Sequence, residues 1–180
     1  PKIIAHQIKK NDNNKNAYID TLMMVYDKRI SLIEDSIFSG RKSLVLGLKG
    51  VDLLKYKPEK YIEAYQILKE SIEVEGYSSD AIVIISYFKT LVKYEKNSDN
   101  LTKQDVLDAY VVVSDIILYN IENNEKYSKN YRIALTKVEN WFGPYASCED
   151  LINVFQSRLE TDGDNLSLLK KITELLTKKK

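Results

Sequence analysis

Between Gly76 and Gly143 the chain contains neither glycine nor proline, and its 180 residues hold only six Gly and three Pro in all. Turns between strands draw heavily on those two residues, whereas long stretches free of both are what helices require. An all-helical architecture is therefore expected. A hydrophobic share of 44% is ordinary for a globular chain. Against 27 Lys and Arg stand 26 Asp and Glu, a net charge of +1, which gives no long-range field for nucleic acid or an anionic membrane. The run Lys178-Lys179-Lys180 is too short to alter that. The longest uncharged apolar run falls far below the roughly 20 residues needed to span a bilayer, so no direct membrane insertion is expected. The start at Pro1, with neither an initiator Met nor a signal-peptide pattern, predicts a section of a longer chain.

Catalytic and metal chemistry is bounded just as tightly. With one His (His6) and one Cys (Cys148), no cluster of Cys and His ligands forms, a Ser-His-carboxylate set is not expected, and no intrachain disulfide is possible. His6 has no suitable titrating partner nearby in sequence and reads as a surface or packing residue. Cys148 follows Ser147 at a predicted helix start, where the dipole would lower a thiol pKa, so a reactive thiol and a packed, half-buried one are both open. Glu149 and Asp150 in the same turn serve the dipole. Neither a cofactor nor a metal is expected.

Periodicity near 3.6 predicts helices over 16–34 and 42–56, and from Pro58 to Glu75, where Gly76 suits a helix C-terminus. Pro58 disfavours helical geometry at Lys57 and suits the first turn of the third helix. The next helix, 79–95, contains Ala81-Ile82-Val83-Ile84-Ile85, a β-branched run that alone would suggest a buried strand. Its apolar positions continue through Tyr87, Phe88, Leu91, Val92 and Tyr94, longer than a usual strand, and Ser78 or Ser79 would cap it. Thr102 and Asp105 have the spacing of a capping box, opening a helix to Asn123. Three more are predicted over 125–142, over 147–161, and after Asp162-Gly163-Asp164. Short joints imply antiparallel neighbours.

Some of these helices repeat. Ile62-Glu63-Ala64-Tyr65 is echoed about 45 residues later by Leu107-Asp108-Ala109-Tyr110, and Asn16-Ala17-Tyr18 stands about 47 residues before the first. Glu63 to Gly76 resembles the second helix of a tetratricopeptide repeat, with Ala64, Leu68 and Ser71 matching the family's small, large and small positions. Gly76 stands where that family has Pro. The preceding helix offers Leu46-Gly47 and Gly50 in place of the family's Trp and Leu-Gly pair, and a spacing of about 45 exceeds the usual 34 or so. More narrowly, Asp20 to Arg29, Gly40-Arg41-Lys42 and Tyr145-Ala146-Ser147-Cys148 resemble segments of a bacterial subgroup of exported, tyrosine-rich tetratricopeptide-like proteins. That resemblance implies an export signal upstream of Pro1, a periplasmic or envelope location, and a disulfide partner for Cys148 beyond Lys180. Its motifs are structural and imply no activity.

A two-helix unit cannot bury both of its apolar sides alone, so neighbouring units must cover one another. The expected pairs are 1–10 with the helix from Asn16, 42–56 with 58–76, 79–95 with 103–122, and 125–142 with 147–161, capped by a lysine-rich last helix. The expected fold is a right-handed α-solenoid of tetratricopeptide-like hairpins, one domain over 1–180. Asp162-Gly163-Asp164-Asn165 lacks the remaining ligands of a calcium loop and reads as a turn. Gly40-Arg41-Lys42-Ser43 lacks the earlier Gly and the preceding strand of a phosphate loop. Lys49, Lys55, Lys57 and Lys60 are interspersed with Asp52 and Glu59 and read as a solvated face.

The 13 Tyr are the one unusual count. Tyrosine suits both helix packing and contact surfaces, since a flat apolar ring ends in a polar tip. Tyr61 and Tyr65 fall in line with Leu68 and Ile72, which favours packing, while a ring-lined groove would use Tyr61, Tyr65 and Arg29 to hold a partner. The expected function is non-catalytic binding of a protein or peptide on the helical-repeat surface. The alternative is a structural section of a larger envelope scaffold that self-associates.

Overall fold

The structure is a computed structural model that describes residues 1–10, 14–145 and 173. Among the described residues there are seven α-helices and no strand, as the scarcity of turn residues requires. They gather into two compact units, the first Pro1–Ser79 and the second beginning at Asp80. The predicted helix over 147–161, the last helix, the 162–165 turn and Cys148 lie outside the described residues.

The first unit contains α1 (Lys2–Lys10), α2 (Lys15–Glu34), α3 (Lys42–Tyr56) and α4 (Tyr61–Glu75). α1 packs on α2, α2 on α3, and α3 on α4. Lys57 leaves the helical region at φ −132° and ψ 68°, and Pro58 then opens a 3-10 turn, Pro58–Lys60, that leads into α4. Gly76 ends α4 at φ +52° and ψ −126°, a conformation that penalises any residue with a Cβ. Side chains fix the direction of α2 against α3: Asp20 pairs with Lys57, Asp27 with Lys49, and Glu34 with Lys42, in antiparallel order. Within that ladder the Tyr26 hydroxyl donates to Asp52 at 2.7 Å. Ile8, Ile19, Leu22, Tyr26 and Val45 form the core shared by α1, α2 and α3.

Between α3 and α4 the packing is closer. Ala64, Leu68 and Ser71 are buried along one stripe of α4, as their spacing predicts. The Ser71 hydroxyl donates to the Ser43 carbonyl at 2.8 Å, and a Cβ at Gly50 would lie 2.6 Å from Leu68 Cγ. The repeated small-residue and Tyr pairs are not equivalent. Ala64 and Tyr65, like Ala109 and Tyr110, are buried, whereas Ala17 in the first turn of α2 is exposed.

The second unit contains α5 (Ala81–Lys96), α6 (Lys103–Asn123) and α7 (Ser128–Phe142), each packed against the other two, with a 3-10 turn Gly143–Tyr145 after α7. The β-branched run at the start of α5 is helical. Val83, Ile84, Tyr87, Phe88, Leu91 and Val92 are buried with helical spacing, so the longer stripe overrides local strand preference. Asp80 is the N-cap, in place of Ser78 or Ser79, because Gly76–Ser78 forms its own 3-10 turn. The capping box of α6 is complete: the Thr102 N–H donates to Asp105 Oδ2 at 2.7 Å, and the Asp105 N–H to Thr102 Oγ1 at 3.4 Å. α7 starts at Ser128, three residues later than the sequence predicts, since Asn124 at ψ 73° and Tyr127 at φ −117° are not helical.

Aromatic rings join the three helices. Tyr110 on α6 stacks on Phe142 of α7 with centroids 3.7 Å apart, and Phe88 of α5 meets both edge-on. Beyond α7 the Tyr145 hydroxyl donates to Glu95 Oε2 at 2.6 Å, and Lys96 lies 5.7 Å from the centre of the Tyr145 ring. The C-terminal ends of α5 and α7 are thereby held together, with α6 returning between them.

Candidate binding cleft

Among the described residues each unit carries a cleft open to solvent. In the first unit, the start of α3 meets the end of α4. Glu75, whose side chain is only 5% exposed, pairs with Arg41 at 2.9 Å and accepts a hydrogen bond from the Ser43 hydroxyl. That carboxylate sits at the first turn of α3, where the helix dipole favours negative charge. Lys42 bridges Glu34 at 2.8 Å and Glu70 at 2.9 Å; the bond to Glu34 foremost, then that to Glu70, raises the pKa of its ammonium. The cleft there, about 480 Å³, is lined by Arg41, Lys42, Glu70 and Glu75 together with Leu46 and Val74. All four of those charges are answered within the chain. Arg41, Lys42 and Ser43, which echo the end of a phosphate loop, are engaged by carboxylates of α2 and α4.

Tyr61, Tyr65 and Arg29 are not brought together. Tyr61 is half-buried at the start of α4, Tyr65 is buried one turn later, and Arg29 is half-buried on α2. α3 separates the two elements, and among the described residues α2 and α4 do not pack on each other. Arg29 lies near Tyr26, whose phenol is held well above its usual pKa by burial first and by the bond to Asp52 second. Of the four lysines expected on a solvated face, Lys55 and Lys60 are exposed, whereas Lys49 and Lys57, with side chains 13% and 22% exposed, are largely covered where α3 and its C-cap meet α2. Lys49, Lys57 and Lys60 pair with Asp27, Asp20 and Glu63, and Lys55 lies 4.8 Å from the centre of the Tyr56 ring. His6 is exposed on α1.

The second cleft, about 370 Å³, lies between the N-terminal turns of α5 and α7. Asp80, Ala81, Ile82 and Ile85 line it from α5 and its cap; Tyr127, Asn130, Tyr131 and Ile133 line it from α7 and its cap. Two N-terminal ends sharing a cleft, and two C-terminal ends joined through Tyr145 and Glu95, make α5 and α7 parallel. Ile82 is 50% exposed, and Tyr127 and Ile133 are 47% exposed, so much of the apolar wall faces water. Tyr131 is buried beneath them, and its phenol pKa is raised by that burial and then by the charge of Asp80.

No family model, curated protein or solved structure matches this chain. The site therefore rests on its own geometry. Among the described residues no group of three His, Cys, Asp or Glu side chains is placed to hold a metal ion. No described helix is long and apolar enough to cross a membrane.

Sequence reasoning passes over the cleft residues for identifiable reasons. Ile82 lies inside a β-branched run that reads as core throughout, and its exposure depends on which faces α6 and α7 cover. Tyr127 and Tyr131, four residues apart in a segment with few other rings, carry the one local signal of a lined surface.

Proposed function

We propose that this chain is a non-catalytic interaction module that holds a protein or peptide segment in the cleft between α5 and α7. The observation that carries the reading is the set of half-exposed Ile82, Ile133 and Tyr127 side chains around one concavity. Apolar surface left open on a rigid pair of helices is what a partner's side chains would bury, and rings with few rotamers to lose suit that task. The helices are preorganised by the Phe88, Tyr110 and Phe142 cluster, so little ordering is required on binding. A tetratricopeptide-like stacking of hairpins, forming an α-solenoid, accounts for the parallel run of α5 and α7 with α6 between them. In such a stack the first helices of successive pairs lie side by side.

The test is affinity capture with the immobilised chain, read by mass spectrometry and by light scattering during size exclusion. The expected result is a saturable partner bound by a monomeric chain and lost in Ile133→Asp, with the variant's melting temperature unchanged. Capture that survives this substitution would move the site elsewhere. A second reading, a structural section that associates end to end, is favoured by Ile3, which is 80% exposed on α1 at the start of the first unit. Self-association without a captured partner would select it.

A further inference from the structure

Among the described residues eight line the α5–α7 cleft, and of these eight only Asp80 carries a formal charge at neutral pH. Its position is the N-cap of α5, where a carboxylate ordinarily accepts an N–H of the first turn. Here the side chain makes no such bond, while the Asp80 backbone carbonyl accepts from the Val83 and Ile84 N–H groups at 2.9 and 3.1 Å, as an N-cap carbonyl does at the start of a helix. Asp80 is exposed and lines the cleft together with Ile82 and Ile133. A wall of this kind suits a ligand that is apolar along its length and cationic at its tip. A purely aliphatic chain would gain nothing from the carboxylate, and a small hydrated cation would leave the isoleucines wet.

Resting on the cleft as the binding site, we propose that its occupant is a peptide segment presenting one lysine or arginine among aliphatic neighbours. The stem lies along Ile82, Ile85 and Ile133, and the cationic head reaches the Asp80 carboxylate. Tyr131, buried in the cleft, has its phenol pKa raised by burial first and by the Asp80 charge second.

Three capped synthetic peptides test this: leucines with one central lysine, the same with norleucine in place of lysine, and the same with glutamate. Binding is read from the methyl shifts of Ile82, Ile85 and Ile133 in the isotope-labelled full chain. The lysine peptide is expected to bind about tenfold more tightly than the norleucine peptide, and Asp80→Asn to remove that difference. Asn is itself a good N-cap, so the variant keeps α5. Ile133→Lys, at an exposed position, is expected to weaken the lysine peptide most of all. Equal binding of the lysine and norleucine peptides would overturn the cation preference while leaving the cleft as a binding site. Absence of shifts with all three peptides would overturn both.

Discussion

At Gly50 two opposing effects of an added methyl group can be weighed. Alanine favours the helix over glycine by about 1 kcal/mol, but its Cβ would lie 2.6 Å from Leu68 Cγ, in a side chain that is fully buried. Overpacking of this kind costs about 1–3 kcal/mol, and the contact is with the branch point of Leu68 rather than its tip, so the steric term wins. Gly50→Ala is expected to lower the urea midpoint, with the slope of the transition unchanged; an unaltered midpoint would show that α4 shifts away freely. The inward positions Ala64, Leu68 and Ser71 are legible in the sequence because a 3.6 period marks one face of a helix. The demand for glycine at position 50 is not, since it arises from a side chain on another helix. The same applies to Glu75, an acidic residue near the end of α4 that is buried only because Arg41 and Ser43 come to meet it.

Helix boundaries show which local signals suffice. The capping box at Thr102 and Asp105, and the stop imposed ahead of Pro58, act within a few residues and can be read directly. Thr102→Ala is expected to cost about 1 kcal/mol, measurable by chemical denaturation, because it frees an N–H at the start of α6. If the stability were unchanged, the box would contribute nothing beyond what water supplies. The start of α7 falls later than the sequence predicts because Glu125 and Lys126 suit a helix well enough, and only the turn at Asn124 to Tyr127 fixes the entry. α5 carries the opposite lesson. Its β-branched opening favours strand locally, and the helix is enforced by the buried stripe that reaches Phe88 and Leu91 in the next turns.

Over the whole molecule, buried phenols set an upper limit to the pH range of stability. Tyr26 in the first unit and Tyr131 and Tyr145 in the second all have pKa values raised above 10.0, chiefly by burial. A group that holds its proton more tightly when folded stabilises fully below its unfolded pKa, and that stability is lost as pH rises through the folded pKa. Melting temperature is therefore expected to be flat from about pH 8 to about pH 10 and to fall above it. Tyr26→Phe and Tyr145→Phe should each make the fall shallower, because each removes one such proton along with its bond to Asp52 or Glu95. A decline of the same steepness in both variants would assign alkaline unfolding to other groups. For the described residues the sequence by itself determined that they are helical, where most of their helices begin and end, and which face of each is apolar, since those properties arise from residues within a turn or two of one another. Only the tertiary structure decided that α5 and α7 run parallel, that Ile82 and Ile133 stay open while Val83 and Ile84 close, and that Asp80 lines a cleft with residues of α7. Those outcomes depend on contacts such as Tyr145 with Glu95, between residues far apart in the chain, and no local pattern encodes them.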